Sequence, residues 1–176
     1  MTTPTEQHPG ATGAYPGLLD WLSRNGVEYE LHEHSATVTA LETAHLEHID
    51  PRRFAKTVIA ELAGGKRVML VLDAADHVDL SKAVRHLGST HLRLVTESEL
   101  AEIAPEIEVG AMPPVGELAG LEVHADIAIR DDPTITFAAG SHRVTATVDR
   151  AAWEHAAHVT YADMAVAVAR GPAWAR

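Results

Sequence analysis

The sequence predicts an α+β fold, a mixed, mainly antiparallel sheet with helices around it. Three observations carry that expectation. Short alternating or continuous apolar runs recur at 54–63, 67–72, 134–138 and 143–148, the pattern of half-buried or buried strands. They fall into two pairs joined by hairpin-type turns, Gly64-Gly65-Lys66 and Ala139-Gly140-Ser141-His142. Helix-spaced segments lie between the strands without a regular βαβ rhythm, which argues against a parallel α/β sheet.

Residues 15–25 set Leu18, Leu19 and Leu22 at helical spacing beside Trp21, and Gly26 supplies a stop. Residues 27–32 alternate Val-Glu-Tyr-Glu-Leu-His, a strand with one buried face. Thr39 followed by Glu42 is a capping-box pattern for a helix that carries Leu41 and Ala44 and ends by Pro51. The run FAKTVIAELA at 54–63 and the nearly continuous RVMLVL at 67–72 form a hairpin central to the sheet. Asp79 caps a helix over 80–87, with Gly88 past its end. Residues 91–95 are a short strand, and Thr96 or Ser98 caps a helix carrying Leu100 and Ile103, with Pro105 beyond it. After the Gly110 to Gly116 loop, residues 121–129 are apolar and mostly extended. A short Ala-rich helix around Trp153 occupies 150–158. There is no internal repeat.

A chain of 176 residues suffices for one domain with a real core. With 46% hydrophobic and 22% charged residues it reads as soluble and globular. No run approaches the ~20 apolar residues that span a bilayer, so no membrane association is expected. Residues 1–13 are polar, without a basic start or an apolar stretch, and read as a disordered leader rather than a signal peptide. The folded domain is expected over 14–158, and 159–176 as an amphipathic or frayed tail. With no cysteine, thiolate chemistry, disulfides and Cys-based zinc sites are excluded, which fits the cytoplasm.

The formal charge is −11, which argues against general nucleic-acid binding. Between Pro51 and Arg93, however, Arg52, Arg53, Lys56, Lys66, Arg67, Lys82, Arg85 and Arg93 face only Glu61, Asp73, Asp76 and Asp79, eight bases minus four acids for a local +4. That segment is either a confined phosphate-binding patch or a fluctuation on a solvated surface.

Candidate chemistry sits at three places. Gly110-Ala-Met-Pro-Pro-Val-Gly116 holds two glycines, two prolines and no charge. It is a stiff loop, read either as a connector or as a wall of outward amides able to hold an oxyanion or polarise a carbonyl. Lys56 lies in an apolar strand on the face shared with Phe54 and Val58. There it either requires an anion, a ligand or a shifted pKa, or it snorkels to solvent. His142 sits in a turn at a sheet end. Among the twelve histidines, His32 with His34 and His45 with His48 sketch a metal site without an HExxH or an acidic partner, so no metal and no cofactor are expected. No GxSxG elbow, P-loop or GxGxxG is present.

These pieces line up in order: a His-Ser segment after the first strand, Phe54-Ala-Lys56-Thr57, the RVMLVLDAAD run, Asp79-Leu-Ser-Lys82, Gly110-Ala-Met-Pro-Pro114-Val-Gly116, Asp126, and Phe137-Ala-Ala-Gly140-Ser141. In this the chain resembles the YbaK/prolyl-tRNA synthetase-associated domain family over about residues 15–158. The resemblance implies a trans-editing deacylase that hydrolyses the ester between an amino acid and the tRNA 3′ adenosine. Lys56, Gly110 and Pro114 would be its catalytic positions. Thr57, Ala111, Met112, Pro113, Val115, Gly116, Gly140, Ser141 and His142 would line the substrate pocket. Arg52, Arg53, Lys82 and Arg85 would meet tRNA, with an aminoacyl-tRNA synthetase as a further partner. The family mechanism needs no side-chain nucleophile, which suits this composition. Many relatives carry Gly-Gly-x-Ser-Pro-Phe-Gly where this chain has Met112, Pro113 and Val115. Thr57 stands where alanine-specific relatives carry asparagine, whereas Gly140-Ser-His142 matches them. A small amino acid is the favoured substrate. The alternative is a non-catalytic tRNA- or aminoacyl-binding module of the same fold that acts with a protein partner.

Overall fold

The computed structural model describes residues 13–166, so nearly all of the expected leader and the last ten residues of the expected tail lie outside it. In chain order the elements are α1 (Pro16–Arg24), β1 (Tyr29–Glu33), α2 (Ala40–Leu46), β2 (Ala55–Leu62), β3 (Arg67–Asp73), β4 (His77–Val78), α3 (Leu80–Leu87), β5 (Leu92–Leu94), α4 (Glu97–Ile103), β6 (Glu122–Asp126), β7 (Thr134–Ser141), β8 (Val144–Asp149), α5 (Arg150–Ala156), β9 (Thr160–Ala162) and β10 (Ala165–Val166). A five-stranded sheet runs β5-β2-β3-β6-β9 and a three-stranded sheet β1-β8-β7, with β4 and β10 as a separate pair. The pairs β3–β6 and β6–β9 are parallel and the others antiparallel. The fold is α+β with a mixed, mainly antiparallel sheet, as the sequence predicts.

Helix starts follow local chemistry. Thr39 with Glu42 and Thr96 with Glu99 form complete capping boxes, and the Asp79 side chain accepts from the Lys82 amide. The ends of α2 and α5 were less legible. His48 and His158 stand in the left-handed region past them, at φ 56° and 53°. Each turns the chain so that a following amide, Ile49 or Val159, bonds back to Ala44 or Glu154.

The main core lies between the two sheets. Trp21 of α1, Met69 and Val71 of β3, Phe137 of β7 and Trp153 of α5 meet there. Leu70 and Leu72 point to the other face, against Ala83 of α3 and Met164. A third group, Ala44, Phe54 and Ala74, seats α2 on the start of β2.

Two expectations differ. The predicted turn 139–142 is largely strand, because β7 runs to Ser141 and the reversal falls on His142 and Arg143. Ala139 is buried in the main core, which holds the strand extended, and a register shift between Ala138 and Ser141 absorbs Gly140 as a bulge. Second, the described part of the expected tail contributes β9 and β10. The buried Asp126 carboxylate draws it in, accepting the amides of Met164 at 2.7 Å, Ala165 at 2.9 Å and Ala128 at 3.0 Å. The Ala128 bond also ends β6, so residues 127–131 form a 3-10 turn rather than continuing the strand.

Asp126→Ala leaves those donors without their acceptor and is expected to lower unfolding free energy by about 2–4 kcal/mol in urea titration. Amide exchange should accelerate over residues 160–166. A second outcome concerns the edge of the larger sheet. Hydrogen bonds from Arg93, helped by the Thr96 amide, hold the Glu99 carboxyl at about 2. A carboxylate with its folded value depressed adds stability above the unfolded pKa and loses it as pH falls towards the folded value. Denaturation midpoints should therefore drop between about pH 4.5 and pH 2, and Arg93→Gln should flatten that drop.

Candidate active site

The Gly110 loop is tied to β7 by backbone alone. The Glu108 amide donates to the Gly140 carbonyl at 3.0 Å, and the Gly140 amide donates to the Ala111 carbonyl at 3.0 Å. The next turn is fixed from both sides. The His142 amide donates to the Glu108 carboxylate at 2.6 Å, and its carbonyl accepts the Thr37 amide at 3.1 Å. Gly110 stands at φ +89°, and a Cβ there would lie 3.4 Å from His142 Cε1 and 3.5 Å from the Val38 carbonyl. The loop, the β7–β8 turn and the residues leading into α2 therefore converge on one glycine.

The loop's donors divide cleanly. Pro113 and Pro114 have none. The Ala111 and Val115 amides bond to Glu108 and Pro113 carbonyls within the segment. The amides of Gly110 and Met112 have no partner among the described residues. Gly110 is exposed and Met112 half-buried. Two unpaired donors one residue apart are what a developing oxyanion or a polarised carbonyl needs. The remainder of the loop is anchored, with Val115 buried and the Pro114 carbonyl accepting Trp153 Nε1 at 2.8 Å.

The expected pocket residues do not all face this point. A Cβ at Gly140 would sit 2.4 Å from Tyr15 Cβ, and one at Gly116 would sit 2.0 Å from the Leu121 carbonyl. Both glycines serve close crossings inside the fold. Ser141 is buried and its Oγ accepts the Arg143 amide at 3.3 Å.

Lys56 sits on β2 opposite Leu72. Its ammonium donates to the carbonyls of Ala74, at 3.2 Å, and Asp76. Partial burial pushes its pKa down, and the nearby Asp76 and Asp73 pull it back up. Thr57, on the opposite face of the strand, holds a buried hydroxyl without a hydrogen-bond partner among the described residues. Lys56 and the loop make no direct hydrogen bond. They share a frame, since the Thr136 amide of β7 donates to the Arg53 carbonyl at 3.1 Å and β7 then leads to Gly140.

Helix α2 spans the two places. Ala44 packs with Phe54 and Ala74 near Lys56, while Val38, just before the helix, meets Gly110. Seven residues of helix cover about 10 Å. A buried polar cluster pins the far end: the Thr145 hydroxyl donates to the Glu47 carboxylate, 2.9 and 3.0 Å from its oxygens, and His34 Nε2 lies 3.5 Å from it. The His34 and Glu47 side chains are 6% and 10% exposed. Sequence spacing paired His34 with His32, yet His32 is exposed beside Glu30.

The basic segment is largely neutralised. Arg53 pairs with Asp132 at 3.1 Å, Lys66 with Glu122 at 2.9 Å, Arg67 with Glu61 at 3.0 Å and Lys82 with Asp163 at 2.7 Å. Arg93 bonds both Glu61 and Glu99 at 2.7 Å. Four of those acids lie outside the segment, which is why counting along the chain missed them. Arg52 and Arg85 have no carboxylate within 4.0 Å among the described residues. A cavity of about 340 Å3 lies behind Val115, lined by Trp21, Leu121, Val123 and His124, and includes neither Lys56, Gly110 nor His142.

Backbone donors, one half-buried lysine and a histidine-bearing turn make up the candidate site. The aminoacyl-tRNA editing domain family matches residues 34–155, and the chain belongs to that family. Among solved structures it is similar to the hypothetical protein APE2540, at 19% identity and a TM-score of 0.78 over 85% of this chain and 99% of that one. It is also similar to a proposed trans-editing enzyme for prolyl tRNA synthetase, at 23% identity and a TM-score of 0.73 over 85% and 97%. At these identities the likeness is one of fold. No curated protein matches the sequence significantly.

Because Gly110 combines a left-handed φ with a close His142, Gly110→Ala is expected to cost about 1–2 kcal/mol in urea denaturation. It should also shift the His142 ring resonances in NMR spectra. An unchanged His142 signal would separate the loop from the turn.

Proposed function

We propose that this chain hydrolyses the ester of misacylated tRNA in trans, releasing a small amino acid as the free acid. The unpaired Gly110 and Met112 amides beside His142 carry this reading. They would hold the aminoacyl carbonyl and gain strength as its oxygen becomes negative. Water attacks the carbonyl carbon, the C–O bond to the ribose breaks, and the ribose oxygen leaves with the proton. A substrate hydroxyl is available to shuttle that proton. Lys56 would hold the substrate end in register with the loop, a contribution of orientation rather than proton transfer. Buried Val115 and half-buried Met112 would leave room for a short side chain. The substrate is then an aminoacylated tRNA 3′ end in the cytoplasm, and a synthetase is the partner that the family and the trans-editing neighbour suggest.

One observation favours a second reading. Lys56 already donates to two backbone carbonyls, an arrangement that a non-catalytic aminoacyl-binding module would also retain. The deciding experiment is a deacylation screen against tRNAs charged with each small or near-cognate amino acid. Hydrolysis of one or a few is expected, and Lys56→Ala should lower that rate about 100-fold, the scale of losing one transition-state contact, with the thermal transition kept. Full activity in the variant would remove Lys56 from the mechanism. Binding of an aminoacyl-adenosine analogue without any turnover would select the second reading.

A further inference from the structure

We infer that Arg143 is a phosphate-binding residue that seats the 3′ end of the tRNA at the Gly110 site. This inference rests on the tRNA reading above. A chain of net charge −11 repels polyphosphate, so its approach to the site requires a local, uncommitted cation.

Most described cations are committed. Besides the pairs in the basic segment, Arg24 bonds Asp20 and Glu117, and Arg150 bonds Glu154. Lys56 is held by carbonyls, and Arg130 stacks over the Tyr161 ring at 5.0 Å. Arg85 is exposed on the last turn of α3, and Arg52 lies before β2. Arg143 differs from these in position. It is the second residue of the turn whose first residue, His142, lies against Gly110.

Its backbone is fixed, while its side chain has no ion-pair partner among the described residues. The Arg143 amide donates to Ser141 Oγ at 3.3 Å, and its carbonyl accepts the His34 amide at 2.9 Å. The residue is exposed, and among the described residues no carboxylate lies within 4.0 Å of its guanidinium. The acid at the same turn, Glu108, is committed to the His142 amide. An exposed arginine that adjoins His142, whose ring lies against Gly110, suits one nucleotide's chemistry. The ester goes to the loop, and the phosphodiester of the same strand goes to the arginine, which suits its planar fork. Of the tRNA contacts expected from the sequence, Arg52, Arg53, Lys82 and Arg85, Arg53 and Lys82 are ion-paired.

The test compares Arg143→Gln, Arg143→Lys and the control Arg24→Gln on two substrates: the aminoacyl-tRNA selected by the screen, and the matching aminoacyl ester of adenosine, which lacks a phosphate. Arg143→Gln should raise KM for the tRNA about fivefold to tenfold, the scale of one charge-assisted contact, with kcat unchanged. It should reduce the slope of log affinity against log salt by about 0.7. The adenosine ester should be hydrolysed at the wild-type rate, Arg143→Lys should recover most of the affinity, and Arg24→Gln should behave as wild type. Unchanged KM and slope in Arg143→Gln, with an active wild type, would overturn this inference alone. Equal losses on both substrates would also overturn it, by placing Arg143 at the ester. A wild type that neither hydrolyses nor binds any aminoacyl-tRNA would overturn the functional reading itself.

Discussion

Two backbone hydrogen bonds, Glu108 to Gly140 and Gly140 to Ala111, hold the site together. They join a proline-stiffened loop to the end of a strand without using a side chain. Gly140 makes this possible because it stands at φ +92° and presses against Tyr15, where a Cβ would clash at 2.4 Å. From that tie follow the placement of His142, the exposure of the Gly110 amide and the seat of α2. The arrangement is preorganised in the sense that matters for carbonyl chemistry, since the donors are fixed before a substrate arrives.

Elsewhere the fold relies on buried acids as long-range anchors. Asp126 gathers the chain from Met164 onward, and Glu47 fixes the end of α2 to Thr145 and His34. Each buried carboxylate is matched by donors, as low-dielectric surroundings demand. Both draw together segments far apart in sequence, and neither anchor is visible as a motif. Surface charge obeys a weaker rule. Arg67, Arg93, Glu61 and Glu99 form a half-exposed network that neutralises the basic segment more than it stabilises the fold.

What that neutralisation changes is the electrostatic picture of recognition. A local excess of +4 implied a broad phosphate patch. With the ion pairs in place, the uncommitted charge near the Gly110 site reduces, among the described residues, to Arg143, with Arg52 on the β2 side. On the proposed tRNA reading, weak contact with the body of the molecule and a specific hold on its reactive end would suit this charge distribution. A net negative protein with a few well-placed cations would bind in that way.

The sequence by itself determined those elements whose causes are local. The capping boxes at Thr39 and Thr96, the Asp79 cap and the central β2–β3 hairpin all follow from a few neighbouring residues and from hydrophobic period. The ordered motifs were enough to reach the family, and they named Lys56, Gly110 and His142. Only the tertiary structure decided what depends on partners distant in the chain. The reversal moved from 139–142 to His142 and Arg143 because Ala139 is buried against a core assembled from other elements. Residues 160–166 became strands because Asp126, nearly forty residues earlier, supplies their acceptor. Gly116 and Gly140 proved to serve close crossings rather than a pocket, since what would clash with them is contributed by Leu121 and Tyr15. That Arg143, beside the site, has no carboxylate partner among the described residues emerged in the same way. Whether an arginine is available or committed depends on which carboxylates the fold brings within reach.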